Sequence, residues 1–206
     1  MKSVAAILAI ASTAAAFAPS SKSKAPTTVT RVALDDLAGS TAPLKRFDPL
    51  GLAQVGSEQT FAWFQAAELK HSRAAMLATT GFIVQAAGIH FPGMLSKDIS
   101  FESLSGMNPV EQWAGVPDAG KWQIILTIFI AEIATEAKKP HYMMGGDLPT
   151  MVFPPIDFSK VDAATLKTKR SRELNNGRLA MIGIMSFISE YNIPGSVPVL
   201  SGLDAF

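Results

Sequence analysis

Two stretches of the chain carry the same polar side chains at the same spacing. Residues 68–82 read ELKHSRAAMLATTGF, and residues 173–187, which begin 105 positions later, read ELNNGRLAMIGIMSF. The matched positions hold carboxylates, arginines and neutral oxygen or nitrogen donors: Glu68 with Glu173, His71 with Asn176, Arg73 with Arg178, and, just beyond the stretches, Gln85 with Glu190. This degree of identity indicates an internal duplication of one helical unit.

The donors in these two copies form a ligand set for a hard cation. A carboxylate, a neutral imidazole and an amide oxygen suit magnesium better than zinc or copper, and the chain has no cysteine for thiolate sites, disulfides or thiol catalysis. A protein-only magnesium site would need several carboxylates around one point. Here the donors are spaced singly along helices. That arrangement fits many magnesium ions, each held by a macrocycle and lacking one axial ligand, and it therefore points to chlorophyll.

The first copy places its donors beside a flat strip of helix surface. At 100° per residue, Glu68, His71 and Gln85 fall within an arc of roughly 100°. Small residues share that side and form what we name the small-residue lane: Ala74, Ala78 and Gly81. Such a lane suits either a closely crossing helix or a flat ligand that needs axial coordination. A helix crossing alone does not explain why the three donors share the lane.

The charges of the motif predict how the two copies are arranged. Glu68 and Arg73 are five residues apart, whereas neighbours on a helix are three or four apart, so they do not face each other. Helices related by a two-fold axis would instead pair Glu68 with Arg178 and Glu173 with Arg73. Such pairing would neutralise charges that are costly in apolar surroundings, and it would leave each carboxylate a second oxygen for a cation.

Hydropathy predicts the elements that hold these residues. Apolar stretches lie at about 74–89, 124–134 and 179–189, separated by polar segments rich in Pro and Gly. Two of the three are short for membrane spans of about 20 residues, unless their charged flanks lie near lipid headgroups. A soluble bundle with buried helices is the alternative on hydropathy alone. The predicted helices are about 62–90, 119–138 and 168–190.

The N-terminal residues have the composition of a two-part targeting leader. Residues 1–16 have one lysine, an apolar run and small residues at their end, as in a signal peptide. Residues 17–33 are rich in Ser, Thr and Lys and lack acids, as in a transit peptide. An ordinary signal peptide followed by a disordered linker is the alternative. Without these residues the remaining domain, 34–206, has 14 cations against 17 anions and no basic patch, so we expect no nucleic-acid partner.

At these residues the chain resembles the light-harvesting chlorophyll-binding family, over roughly residues 47–190. The resemblance covers the two charged helices, the sequence GRLAM at 177–181 and FDPLGL at 47–52. The leader junction AAAFAP resembles that of presequences for plastids of secondary endosymbiotic origin. The chain is therefore most similar to the fucoxanthin chlorophyll a/c proteins of diatoms and related algae. This resemblance implies an all-α membrane protein with three transmembrane helices, the first and third crossing with pseudo-two-fold symmetry and Glu–Arg pairs.

The resemblance also implies roles for individual residues. The central axial ligands to chlorophyll magnesium would be Glu68, His71, Glu173 and Asn176, and a further pair of ligands would be Gln85 and Glu190. The ion-pair partners would be Arg73 and Arg178. On the middle helix the expected ligands are Gln123 and Glu132, with Glu136 as a further candidate. The carotenoid segments would correspond to residues 47–52 and 148–158. No histidine follows residue 190, so a chlorophyll near the C-terminus is not expected.

The implied function is absorption of light and transfer of excitation energy to a photosystem. The implied cofactors are chlorophyll a, chlorophyll c and fucoxanthin-type carotenoids, with magnesium only inside chlorophyll. The implied location is the plastid thylakoid membrane, and the partners are a photosystem core or other antenna subunits, thylakoid lipids, and further copies or relatives in an oligomer. A photoprotective member that dissipates excitation as heat is the alternative within the family. Neither function makes the chain an enzyme.

Two other classes of membrane protein share parts of the pattern. Glu-x-x-His on helices also occurs in di-iron carboxylate enzymes. In this chain, however, the second copy has Asn in place of His, and each copy carries an arginine that would oppose a cluster of dications. A transporter built on a repeat with intramembrane charges is the other class. Three spans are few for that purpose.

Overall fold

The computed structural model describes residues 37–43, 45, 47–149 and 161–200. The predicted leader, residues 1–33, and most of the second carotenoid segment lie outside these residues. The described chain is helical and has no strands, with elements α1 (Glu58–Ala86), α2 (Phe101–Ser105), α3 (Pro109–Gly115), α4 (Asp118–Glu136) and α5 (Ala163–Asn192), and with 3-10 turns at Leu52–Gln54 and Tyr142–Met144. Among the helices that the structure describes, none combines the length and the apolar character that crossing a membrane requires.

Helices α1 and α5 begin at side-chain caps rather than at the edges of the apolar stretches. The Ser57 side chain accepts a hydrogen bond from the N–H of Thr60, so α1 begins earlier than hydropathy predicts. Asp162 accepts from the first turn of α5 in the same way. At the other end of α1, Gly88 has a φ of 71°, a left-handed conformation that stops the helix. The apolar pattern alone therefore misplaced the ends of these helices.

Helices α1 and α5 cross at positions that are equivalent in the repeat. Ser72 is fully buried at the crossing, and a Cβ added to Gly177 would lie 2.2 Å from the Ser72 Cβ. Further along the two helices, Phe82 and Phe187 stack with their ring centroids 5.0 Å apart. Each residue of these two pairs contacts its own repeat equivalent, as residues at a two-fold interface do.

Helix α4 is apolar on every side and has no buried residue. Its large apolar side chains are all exposed: Trp122, Ile124, Ile125, Leu126, Ile128, Phe129, Ile130 and Ile133. A helix that is hydrophobic all round is normally one that apolar material covers on all sides. The protein packing of the fold is therefore concentrated in the α1–α5 pair, while α4 stands beside that pair.

Candidate functional site

Two carboxylate–arginine pairs join α1 to α5 at the crossing. Arg178 places both Nε and Nη2 at 2.8 Å from Glu68 Oε1, and Arg73 places Nε at 2.6 Å from Glu173 Oε1. The pairing therefore runs between the copies and not within either one. Arg73 and Glu173 are the more buried pair, 19% and 25% exposed, against 43% and 36% for Arg178 and Glu68. Among the described residues, the second oxygen of Glu68 has no protein partner.

Each arginine also holds a loop that leads into the opposing helix. Arg178 donates from Nη1 to the carbonyl of Gly39, at 2.7 Å, in the segment before α1. Arg73 donates from Nη1 to the carbonyl of Pro149, at 2.9 Å, in the segment before α5. A guanidinium can serve both partners because its donors form a planar fork. The two copies are thus equivalent in the loop contacts of their arginines as well as in their ion pairs. The sequence alone did not suggest these loop contacts.

His71 is exposed on α1, and its ring has a defined orientation. Its Nδ1 lies 2.8 Å from the carbonyl oxygen of Ala67. A carbonyl can only accept, so Nδ1 is the donor, and in the neutral ring Nε2 then carries the lone pair. A backbone hydrogen bond of this kind is the usual support for a histidine that binds a metal through its other nitrogen. The residue therefore fits the role of an axial ligand.

The small-residue lane faces outward. Ala74 and Ala78 are exposed, as are the neighbouring donors His71 and Gln85. A Cβ added to Gly81 would meet nothing within 4 Å. The crossing with α5 uses a different face of α1, so the lane does not serve that crossing. Of the two interpretations that the sequence left open, this geometry favours a flat ligand.

The second copy presents two adjacent asparagines with different roles. Asn175 donates from Nδ2 to Thr41 Oγ1, at 3.0 Å, and its Oδ1 accepts from Arg178 Nη1, at 3.4 Å. Asn176 is exposed, and its side chain has no hydrogen-bond partner among the described residues. Its amide oxygen is therefore available as a neutral donor at the repeat position of His71.

The two copies differ most at their last matched position. Gln85 is exposed, whereas Glu190 is only 5% exposed. The carboxylate of Glu190 accepts the backbone N–H groups of Gly195 and Val197, at 2.7 and 2.8 Å, one on each oxygen. These bonds close the loop after α5. The ligand role of Glu190 stays a prediction, and the structure gives this side chain a loop-closing role that its repeat partner lacks.

On α4, the predicted ligands Gln123 and Glu132 are both exposed. Glu132 Oε2 lies 2.6 Å from Lys70 Nζ on α1, a partner that the sequence reasoning missed because Lys70 lies outside the repeated pattern. Tyr142 lies in the adjacent 3-10 turn. Its burial, and to a smaller extent the nearby Glu136 carboxylate, raises the pKa of its phenol. In the part of the chain that the structure describes, no three His, Asp or Glu side chains converge on a common metal position.

The segment that precedes α1 forms one wall of a groove. Asp48 accepts the backbone N–H groups of Leu52 and Ala53, at 2.9 and 3.1 Å, and so fixes the 3-10 turn after FDPLG. The groove between this segment and the α1–α5 pair has a volume of about 670 Å³. Its lining combines aromatic and aliphatic side chains with one of the ion pairs, and includes Phe47, Leu52, Phe61, Phe64, Glu68 and Arg178. The groove therefore suits a large apolar ligand.

Residues 33–192 match the family of chlorophyll A-B binding proteins, which covers most of the chain and both copies of the repeat. The chain belongs to this family. This membership agrees with the resemblance drawn from the motifs and with the helical fold of the described residues.

Within the family, the chain is similar to proteins named for binding fucoxanthin and chlorophyll a-c. It is 34% identical to a chloroplastic fucoxanthin-chlorophyll a-c binding protein of Trieres chinensis, with 93% of this chain and 95% of the relative covered. It is 36% identical to the corresponding protein F of Phaeodactylum tricornutum, with 85% and 88% covered. Protein E of Macrocystis pyrifera is 30% identical, with 92% and 87% covered.

Proposed function

We propose that this chain is a light-harvesting antenna protein that binds chlorophylls a and c and fucoxanthin-type carotenoids. The observation that carries the proposal is the outward-facing small-residue lane, which is flanked by His71 and Gln85 and is not used for helix packing. A flat macrocycle can lie on such a surface while a donor at its edge supplies the axial bond. The names of the relatives, which specify chlorophyll a-c and fucoxanthin, support the same pigments.

Three of the residues proposed to hold chlorophyll have a donor atom that no described residue contacts, whereas both oxygens of Glu173 and of Glu190 have protein partners. Glu68 keeps one carboxylate oxygen, His71 keeps Nε2, and Asn176 keeps its amide. The further members of the proposed ligand set are Glu173, Gln85, Gln123, Glu132 and Glu190. When bound, chlorophyll supplies the absorbing macrocycle. The chain supplies lone pairs on rigid helices, so that pigments are held at fixed separations and orientations, which transfer of excitation requires.

We further propose that the three long helices lie in the thylakoid membrane. Helix α4 has exposed apolar side chains around its whole circumference, and the outer faces of α1 and α5 also expose large apolar residues such as Leu77, Leu179 and Ile182. Lipid and pigment would both cover such surfaces. The charged residues at the crossing are acceptable in apolar surroundings because they are paired.

The leader is proposed to direct the chain to a plastid. Residues 1–16 would act as a signal peptide and residues 17–33 as a transit peptide, leaving a mature antenna domain of residues 34–206. The family match begins at residue 33, which agrees with this division. In the thylakoid, the partners would be a photosystem core and other antenna subunits, to which the absorbed energy passes.

Refolding of the mature domain with pigments tests the proposal. Residues 34–206 would be refolded in detergent with chlorophyll a, chlorophyll c and fucoxanthin, and the complex would be separated from free pigment. We expect excitation of chlorophyll c or fucoxanthin to produce fluorescence from chlorophyll a. A colourless protein would refute pigment binding. A pigmented protein without energy transfer would refute the antenna function and leave pigment binding in place.

A further inference from the structure

A single lysine of α1 ion-pairs with two carboxylates of α4. Lys70 Nζ lies 2.6 Å from Glu132 Oε2 and 2.6 Å from Glu136 Oε1. Lys70 is 29% exposed, while Glu132 and Glu136 are 53% and 40% exposed. Helix α4 buries no residue against the rest of the described chain, and this cluster is a polar contact between the surfaces of α4 and α1. Lys70 has no charged equivalent in the second copy, where Asn175 takes its place.

Glu136 uses both of its oxygens within the protein. Its Oε1 contacts Lys70, and its Oε2 lies 2.9 Å from His141 Nε2. The other ring nitrogen of His141 accepts the backbone N–H of Met143, at 3.3 Å, so Nε2 carries the proton and donates it to Glu136. The ring of His141 also packs on Tyr142, with centroids 4.2 Å apart. Glu136 is therefore a fixed anchor for the ammonium group of Lys70.

Glu132 uses only one of its oxygens. Its Oε2 contacts Lys70, whereas its Oε1 has no partner in the described part of the chain. The side chain is half exposed and lies on a helix whose neighbouring residues Phe129 and Ile133 are also exposed. Glu68 shows the same arrangement, in which a cation of another helix holds one oxygen and leaves the other available.

We propose that Lys70 is the positioning residue of a chlorophyll site on α4, in which Glu132 is the axial ligand. This inference rests on the proposed function. Lys70 takes one oxygen of Glu132 and holds the flexible side chain in one rotamer, so that the second oxygen remains directed away from α1. Lys70 also supplies the counter-charge that a carboxylate needs in apolar surroundings. Glu136 and His141 hold the ammonium group in place and bind no pigment themselves.

Substitutions in the refolded pigment complex test this assignment. The readouts are chlorophylls per chain and the circular dichroism of the visible bands. We expect Glu132→Leu to lose one chlorophyll, Lys70→Met to lose the same one, and the double variant to lose no more. The difference spectra of the two single variants should superimpose. Lys70→Arg should keep the full pigment count, because it keeps the cation. Asp118→Asn is the matched control, because it removes an exposed carboxylate of α4 that lies outside the cluster, and it should keep the full count.

A distance measurement separates positioning of one ligand from general docking of α4. The chain has no cysteine, so spin labels can be placed at Glu58→Cys and Lys138→Cys, two exposed positions on α1 and just after α4. We expect Lys70→Met to leave the distance between the labels unchanged. A displaced α4 with loss of several pigments would overturn the inference, and so would an unchanged pigment count. If Lys70→Met does not refold, Lys70→Gln replaces it and must show the same single loss.

The outcomes for this inference differ from those for the proposed function. An unsubstituted chain that takes up no pigment refutes the proposed function. A chain that binds pigments but loses none on Glu132→Leu refutes only the site on α4. Loss of different chlorophylls in Glu132→Leu and Lys70→Met, seen as different spectra, would show that Lys70 does not act through Glu132.

Discussion

Ser72 and Gly177 occupy the same position in the two copies of the repeat and meet each other where α1 crosses α5. Ser72 is fully buried, and a Cβ on Gly177 would overlap it, at 2.2 Å from the Ser72 Cβ. The Ser72 hydroxyl has no hydrogen-bond partner among the described residues. The backbone of Gly177 lies against it, and contacts of a Cα–H group with oxygen are common where helices approach this closely.

Gly177→Ala should weaken the crossing. The added methyl group forces the helices apart, and overpacking of this kind costs about 1–3 kcal/mol. The matched control is Gly183→Ala, where the nearest atom to the new Cβ is Thr79 Cγ2 at 3.8 Å, an ordinary contact. Adding Ser72→Gly to Gly177→Ala should restore only part of the loss, because the new Cβ would still lie 2.8 Å from the Cα of residue 72. Thermal loss of the visible circular dichroism measures these effects, and equal losses for Gly177→Ala and Gly183→Ala would contradict the prediction.

The two charge pairs should differ in their contributions to stability. Removing one partner costs more in a buried ion pair than in an exposed one, and Arg73 with Glu173 is more buried than Arg178 with Glu68. We therefore expect Arg73→Leu to be more destabilising than Arg178→Leu.

Double-mutant cycles test the partners in these pairs. Glu68→Gln should recover part of the loss caused by Arg178→Leu and little of that caused by Arg73→Leu. Thermal release of pigment gives the free-energy differences. Coupling of Glu68 to Arg73 in place of Arg178 would refute the pairing between copies.

Asn176→Leu should remove one chlorophyll, whereas Asn175→Leu should not. Asn176 is exposed with an available amide, while Asn175 bonds to Thr41 and Arg178. The second variant should instead lower thermal stability, by about 1 kcal/mol for the lost hydrogen bonds. His71→Leu should match Asn176→Leu in losing a single chlorophyll. Pigment counting after refolding decides the matter, and equal counts in the two asparagine variants would argue against a ligand at Asn176.

Gln85 and Glu190 should respond differently although they are repeat equivalents. Gln85→Leu removes an exposed donor and should lose one chlorophyll. Glu190→Gln keeps an oxygen but loses an acceptor for the backbone of Gly195 or Val197, so it should loosen the loop after α5. Limited proteolysis after residue 192 measures the second effect. A chlorophyll lost from Glu190→Gln without faster cleavage would identify Glu190 as a ligand and not as a loop anchor.

The leader should be removed in two steps. The first cut is expected between Ala16 and Phe17, after a run of small residues, and the second near residues 31–36. N-terminal sequencing of the protein from isolated thylakoids checks both. A mature chain that still begins at Phe17 would refute the transit-peptide assignment.

Local spacing made the contacts of the α1–α5 pair predictable from the sequence. Glu68 and Arg73 cannot face each other on one helix, so the repeat itself supplied the alternative partners. The donors on α1 could be placed on one face for the same reason. Helix ends were predicted less well, because hydropathy follows burial and not the capping side chains of Ser57 and Asp162.

The contacts of α4 could not be predicted in this way. Lys70 lies outside the repeated pattern, and its partners Glu132 and Glu136 lie more than 60 residues away on a helix without a copy. The sequence also left open whether the small-residue lane contacts a crossing helix or a flat ligand, because small residues suit both equally well. Arg73 and Arg178 contact the loops at backbone carbonyls. Every residue has such a carbonyl, so the amino-acid sequence does not show which one an arginine will contact.

The apolar surface around α4 has a consequence for the stability and turnover of the protein in the cell. Because no residue of α4 is buried in the part of the chain that the structure describes, the pigments and lipids proposed to bind it would stabilise the native state, and its stability would rise with their free concentration. The supply of pigment would then limit how many newly made chains reach a stable folded state. Chains made in excess of pigment would keep α4 uncovered and be degraded, so that the quantity of antenna follows the quantity of pigment without a separate sensor.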